Sequence, residues 1–192
     1  MSPACLPAER PRLVILDRDG VINHDSDDYI KSPEEWRVIP GASEAIARLN
    51  ADGIPVAVCT NQSGIGRGLF DEPTYQAITQ RMCAVLAEAG AHLDAVFHCP
   101  HAPEAGCRCR KPRPGLLEQA ADHFQVPLDG VPVVGDSLRD LQAARVVGAL
   151  PVLVRTGKGR RTLEQGLPWP VATYDDLRGA VAALLAAWEH PV

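Results

Sequence analysis

Leu13-Val14-Ile15-Leu16-Asp17-Arg18-Asp19-Gly20 is the stretch from which the rest of the 192-residue chain can be read. Four consecutive branched aliphatic residues predict a strand buried on both faces, as in the parallel sheet of an α/β domain. The run ends in two carboxylates one residue apart. Charge therefore falls at the carboxyl end of the strand, where ligands bind in open α/β sheets. Side chains alternate along an extended chain, so if extension persists past Asp17, Asp17 and Asp19 share one side and Arg18 points away. Two like charges held together call for a cation, and oxygen ligands suit a hard one such as Mg²⁺. A polar turn closing a strand has the same composition, because Asp and Gly both favour turns. The remaining motifs have to decide.

The length predicts one domain over residues 1–192, large enough to bury a substantial core. A hydrophobic content of 46% argues against disorder. With 24 acidic against 19 basic side chains and a net charge of -5, the chain is not a general nucleic-acid binder. The apolar stretch Ala180 to Trp188 falls well short of the roughly 20 residues a membrane span needs. Met1 to Arg12 lacks the basic start and apolar segment of a secretion signal. These features predict a soluble cytoplasmic protein with neither nucleic acid nor membrane as partner, and a monomer is the expectation. Of the six cysteines (Cys5, Cys59, Cys83, Cys99, Cys107, Cys109), three crowd into eleven residues around His101, which favours metal over disulfide.

After Gly20, residues Val21 to Pro40 show no periodicity and carry Asp25-Ser26-Asp27-Asp28. A loop this long is usually functional, and its position makes it a candidate flap, although the acidic run also reads as a solvated turn. Ala42, Ala45, Ile46 and Leu49 predict a helix that Gly53 stops. Ile54 to Cys59 is a second buried strand, ending in Thr60-Asn61-Gln62-Ser63-Gly64. Hydroxyl, amide and glycine at a strand tip suit a phosphate, and they equally compose a plain turn. Arg67, in the loop that follows, either reaches a second anionic group or lies in water. From Pro73 to Gly90, Tyr75, Ile78, Met82, Val85, Leu86 and Ala89 trace a core-facing helical stripe, with Cys83 beside it as a small buried residue.

A third strand, Asp94 to His98, leads into Cys99, His101, Cys107 and Cys109. Three thiolates and an imidazole make a tetrahedral set, the stoichiometry of a structural zinc site with no position open to water. Free thiols at Cys107 and Cys109 are the alternative, and His98 is a rival ligand that strand alternation turns away. Arg110-Lys111-Pro112 follows, a cationic pair able to offset phosphoryl charge. Leu116 to Phe124 reads as a helix. Val131 to Val134 is a fourth strand closing in Gly135-Asp136-Ser137, with Asp140 behind it. Asp136 is a third carboxylate at a strand tip, or else a cap for the helix from Leu138 to Val147. Pro151 to Val154 is a fifth strand. The basic, glycine-rich Thr156 to Arg161 either touches a distal phosphate or is solvated. A last helix carries Leu177, Val181, Leu184, Leu185 and Trp188 on one face.

Asp17 and Asp19, then Thr60, then Lys111, then Asp136 with Asp140 resemble, in order and type, the four motifs of the haloacid dehalogenase superfamily of phosphotransferases. That resemblance implies a Rossmann-like parallel sheet with helices on both faces. With 42 residues between the first two motifs, there is no room for a large cap domain. It also implies that Asp17 is the nucleophile and Asp19 the general acid and base. Thr60 and Lys111 would hold the phosphoryl group, and Mg²⁺ would lie between Asp17, the carbonyl of Asp19 and Asp136. Such roles make physical sense, because a carboxylate attacking a phosphate dianion is repelled unless cations offset the charge.

Asp-Arg-Asp-Gly-Val-Ile-Asn from Asp17, Thr-Asn-Gln-Ser-Gly-Ile from Thr60, the Cys/His set and Cys-Arg-Lys-Pro from Cys109 are together similar to the heptose bisphosphate phosphatases of that superfamily. The resemblance runs from about Leu13 to Thr156 and implies a sugar bisphosphate substrate. Its contacts would be Asp25, Ser26, Asp27, Asp28, Thr60, Asn61, Gln62, Ser63, Arg110 and Lys111. The related histidinol-phosphate phosphatases remain an alternative, as does a non-catalytic binding module on the same fold.

Overall fold

The computed structural model describes residues 10–189 of the chain. Cys5 and most of the segment read above for a targeting signal lie outside the described residues. Leu13, Val14, Ile15 and Leu16 are fully buried, and β1 spans Val14–Leu16. Then follow α1 (Ala42–Ala51), β2 (Val56–Asn61), α2 (Ser63–Gly66), α3 (Glu72–Glu88) and β3 (Ala95–Cys99). After a 3₁₀ turn at Pro103–Ala105 come α4 (Gly115–Phe124), β4 (Pro132–Gly135), α5 (Leu138–Val146), β5 (Leu150–Val154), α6 (Gly159–Glu164), β6 (Ala172–Tyr174) and α7 (Leu177–Glu189).

The strands form one parallel sheet in the order β3-β2-β1-β4-β5-β6. Alternation along each strand divides the core in two. Leu13, Ile15, Ala57, Cys59 and Val133 pack with Leu116, Leu117 and Ala120 of α4 and Ala143 and Ala144 of α5. Val14, Leu16, Val56, Val58 and Val134 pack with Ile46, Leu49, Ile78, Met82 and Val181 of α1, α3 and α7 on the other face. Each Val, Leu, Ile or Met side chain taken out of water is worth about 1.5–3 kcal/mol, and the central strands β1 and β4 are accordingly apolar from end to end. From β1 the chain first winds outward through β2 and β3, then returns to lay β4 on the opposite side of β1. The crevice above β1 and β4 is therefore the topological switch point, the usual ligand position in such sheets.

The structure adds three elements that the sequence reading leaves as loop. β6 is a half-buried, three-residue edge strand, too short and too mixed to carry a period. α6 takes up the end of the glycine-rich basic segment from Gly159 onward and has no apolar stripe; α2 is a single turn. Thr60 and Asn61 belong to β2 rather than to the turn after it. Cys83, read as buried, is exposed, because the buried face of α3 runs through Tyr75, Ile78, Met82 and Leu86. The Val21 to Pro40 segment has neither helix nor regular strand, yet it is stitched down. His24 N–H donates to the Arg37 carbonyl and Ile39 N–H to the Ile22 carbonyl, both at 2.9 Å. Ile22, Ile30, Trp36 and Ile39 anchor it in the core. Among the described residues no helix is long and apolar enough to cross a membrane.

Candidate active site

Asp17 follows the last residue of β1, and its N–H donates to the Val134 carbonyl of β4 at 2.9 Å. Asp136 follows β4. One carboxylate oxygen each of Asp17, Asp136 and Asp140 lie within 4.8 Å of one another. Asp140, placed behind the motif but given no role by the sequence reading, is the functional residue it misses. Ser137-x-x-Asp140 is the signal that could have found it, since this spacing makes a capping box at the start of α5. Ser137 donates its N–H (3.0 Å) and hydroxyl (2.6 Å) to Asp140 Oδ2. Asp140 Oδ1 accepts from Lys111 Nζ at 2.6 Å.

Lys111 is 3% exposed and spends its ammonium on three acceptors: Asp140, Asp17 Oδ1 at 3.1 Å and the Cys59 carbonyl at 2.7 Å. Burial opposes that charge, but Asp140 and Asp17 outweigh it and hold the lysine protonated. Burial pushes Asp17 up to about 6, Lys111 pulling it down while Asp140 and Asp19 push it further up. Burial together with Asp140 and Asp17 pushes Asp136 up to about 8. Burial also disfavours charge on Asp140, yet the Lys111 contact wins and keeps its carboxyl below the ordinary range. One lysine, paired with Asp17 and Asp140, thus stands against three clustered carboxylates, a deficit that a divalent cation would make good. Asp17 Oδ1 is occupied by Lys111 and the Arg18 N–H, and Asp136 Oδ2 by the Lys158 N–H at 2.7 Å. That leaves Asp17 Oδ2 and Asp136 Oδ1 without a hydrogen bond among the described residues. The Asp19 main-chain carbonyl likewise accepts no backbone hydrogen bond. Asp17, Asp19 and Asp136, the residues the resemblance implies for Mg²⁺, thus each keep an oxygen without such a partner. Gly20 and Gly157, both at positive φ, close against Asp136, and a Cβ on either would collide with its carboxylate.

Arg18 corrects the alternation argument. β1 ends at Leu16, the chain turns at Gly20 (φ 82°), and Arg18 does not point away from the carboxylates. It is 1% exposed and grips Asp19, with NH2 at 3.0 and 2.9 Å from the two oxygens and Nε at 3.1 Å. Asn23 adds a donor at 2.9 Å. Burial disfavours charge on Asp19, but Arg18 and the donors of Asn23 and Gln62 hold its carboxyl below the usual range. Gln62 is buried among these groups. Its Oε1 accepts from Arg18, while its Nε2 donates to Asp19 Oδ2 (2.8 Å) and to Thr60 Oγ1 (2.9 Å). Since the Thr60 oxygen is accepting, its own proton is free for another oxygen. Asn61 bonds the backbone of Lys111. The amides of Gln62 and Asn61 therefore serve the frame of the site, although both residues line it.

These groups open into a cavity of about 310 Å³ that Ser63, Arg67, Arg110 and Arg139 also line. From the segment over β1, Asp25, Ser26, Asp27 and Tyr29 reach it, whereas Asp28 is exposed and lies outside the lining. Asp25 pairs with Lys158 at 2.5 Å and Asp27 with Arg161 at 3.5 Å. The basic loop is thus tied to the flap and, through the Lys158 N–H, to Asp136. Arg67 is half exposed with Glu104 at 3.6 Å.

Behind Lys111, the Cys99, His101, Cys107 and Cys109 ligand atoms converge. The Cys99–Cys107 and Cys107–Cys109 sulfurs are 3.5 Å apart, and His101 Nδ1 is 3.6 Å from Cys99 Sγ and 3.4 Å from Cys109 Sγ. Tetrahedral zinc with its usual bond lengths separates two sulfurs by about 3.8 Å and sulfur from nitrogen by about 3.6 Å. The set has the size and chemistry to hold a metal ion. His98 is directed elsewhere, stacked on Tyr75 at 4.1 Å and bonded to Glu72 at 3.2 Å.

Two family profiles match the chain, one for haloacid dehalogenase-like hydrolases over residues 14–73 and one described as HAD-hydrolase-like over 108–180. D-glycero-beta-D-manno-heptose-1,7-bisphosphate 7-phosphatase of Pseudomonas putida is 53% identical over 174 residues, 91% of this chain and 99% of that protein. The Bordetella bronchiseptica protein of the same name is 53% identical over 175 residues, 91% of this chain and 98% of its own. The crystal structure of D,D-heptose 1,7-bisphosphate phosphatase from B. bronchiseptica complexed with magnesium and phosphate superposes with a TM-score of 0.89 at 52% identity. It covers 92% of this chain and 99% of that one.

Proposed function

The chain belongs to the haloacid dehalogenase-like hydrolases, and from that membership we propose that it removes the 7-phosphate of D-glycero-β-D-manno-heptose 1,7-bisphosphate through an aspartyl phosphate on Asp17. The observation that carries this reading is the convergence of Asp17, Asp136, Asp140 and Lys111 at the switch point of the sheet. The names of the relatives support the substrate.

A carboxylate oxygen of Asp17 attacks phosphorus as the bond from phosphorus to the sugar oxygen breaks, and Asp19, which must loosen its pair with Arg18 to carry a proton, supplies that oxygen with it. Water then attacks the aspartyl phosphate, Asp19 takes its proton, and the bond between phosphorus and Asp17 breaks to release inorganic phosphate. Thr60 donates its free hydroxyl proton to a phosphoryl oxygen, and Lys111 offsets the charge that builds on the others. Mg²⁺, held by Asp17, the Asp19 carbonyl and Asp136, supplies the positive charge that lets two anions approach. Cys99, His101, Cys107 and Cys109 would hold zinc, which would pin the loop that delivers Arg110 and Lys111. A thiol cluster of this kind suits the reducing cytoplasm. Arg110 takes the second phosphate, which stays on the product. Ser63, Asp25, Ser26 and Asp27 border the sugar.

The test compares turnover of the heptose bisphosphate with that of histidinol phosphate, each with Mg²⁺. The expected result is a large preference for the heptose, with one phosphate released per molecule. Preference for histidinol phosphate would overturn the substrate while leaving the chemistry on Asp17 intact.

A further inference from the structure

The family resemblance implies that Asn61 is a substrate contact, but both ends of its amide are engaged by one neighbour. Nδ2 donates to the Lys111 carbonyl and Oδ1 accepts the Lys111 N–H, each at 3.0 Å. A main-chain N–H only donates and a carbonyl only accepts, so the orientation of the amide is fixed. Among the described residues, the peptide groups of Lys111 have no other hydrogen-bond partner. Lys111 belongs to no strand or helix, and the loop before it starts at Cys99, the register partner of Asn61 across β2 and β3. The side chain of Asn61 therefore does for Lys111 what a further strand residue would do. At its other end, the lysine ammonium donates to the carbonyl of Cys59, two residues before Asn61 on β2. Backbone and ammonium are both tied to one strand, with the methylene chain buried between them.

Building on the phosphatase reading above, we infer that Asn61 is a positioning residue, which fixes the Lys111 backbone so that the ammonium meets Asp17 and the incoming phosphoryl group. It acts through Lys111 and not through the sugar. A displacement of the order of 1 Å at a charge-bearing group is enough to cost a large factor in rate.

The experiment measures kcat and KM for the wild type, Asn61→Ala and Asn61→Ser on the heptose bisphosphate and on p-nitrophenyl phosphate, which carries neither sugar nor second phosphate. Asn61→Ala is then repeated in a Lys111→Ala background. Serine keeps a polar group on β2 but is too short to span the Lys111 peptide, and it serves if alanine lowers the folded yield. The expected result is a fall in kcat of about 10- to 100-fold, by the same factor on both substrates. KM stays within about threefold, and the effect shrinks to about twofold or less once Lys111 is alanine. Loss confined to the bisphosphate, or seen in KM, would make Asn61 a substrate contact. Full loss in the Lys111→Ala background, or unchanged kcat in both variants, would also overturn the inference. If wild-type enzyme hydrolyses p-nitrophenyl phosphate but not the bisphosphate, the substrate reading fails while the role of Asn61 is still tested on the simpler ester.

Discussion

Two clusters of side chains with the chemistry to hold a metal ion are connected through the loop of Lys111, and they are built in opposite ways. The carboxylates of Asp17, Asp136 and Asp140 are assembled across 123 residues of chain (140 minus 17) by strand pairing and a helix cap. The Cys99, His101, Cys107 and Cys109 set comes from eleven consecutive residues closing on themselves. The first keeps oxygens open toward a cavity, and burial, helped by the neighbouring carboxylates, raises Asp17 and Asp136 above the ordinary carboxylate range. The second turns all four ligand atoms inward and has none to offer a substrate. A site that does chemistry leaves a coordination position free, whereas one that holds a loop fills every position.

The contrast is broken most sharply by removing each metal in turn. Withdrawing Mg²⁺ is expected to abolish phosphate release, restored on adding it back, with the melting midpoint nearly unchanged. Stripping the thiol cluster, or Cys109→Ala, is expected to lower the midpoint by on the order of 10 °C, as several kcal/mol does in a domain of this size. Turnover per folded molecule should change far less. Phosphate release and thermal melts on the same samples check both, and interchanged effects would dissolve the distinction.

Lys111→Ala tests the junction between the two. It leaves Asp140 and Asp17 buried without their shared cation, so a stability loss of about 3–5 kcal/mol is expected by denaturant titration, with activity nearly lost. Added Mg²⁺ should recover part of that stability in the variant, because the carboxylates left behind bind it more readily than they bind nothing. The smallest effect belongs to Arg110, half exposed, whose nearest partner is the His101 carbonyl at 3.4 Å and whose charge is opposed by burial and then by Arg139. Arg110→Ala should raise KM for the bisphosphate about tenfold and leave p-nitrophenyl phosphate untouched.

What could be read beforehand divides along the same line. Four aliphatic residues before Asp17 give away β1, because burial on both faces demands them. The cysteine cluster is legible because its ligands are neighbours in sequence. Asp17, Asp19, Thr60, Lys111 and Asp136 could be named through the family resemblance, but not how they are held. The reach of Arg18 back to Asp19 depends on the chain turning after Leu16, which alternation along a strand cannot foresee. The role of Asp140 depends on α5 bringing a cap residue under Lys111. Asn61 and Gln62 look like ligands for a phosphate because amides are good donors, yet each is consumed by partners that are 50 and 43 residues away in sequence. Asp25 and Asp27 meet Lys158 and Arg161 only because β5 and the segment after β1 end on the same side of the sheet.

The central claim is that Asp17 itself carries the phosphoryl group between substrate and water. Quenching the enzyme in acid during turnover and sequencing its peptides by mass spectrometry tests this directly. A phosphoryl adduct on Asp17, absent from Asp17→Asn, is the predicted result. Steady turnover with Asp17 unmodified, or an adduct on any other residue, would contradict it.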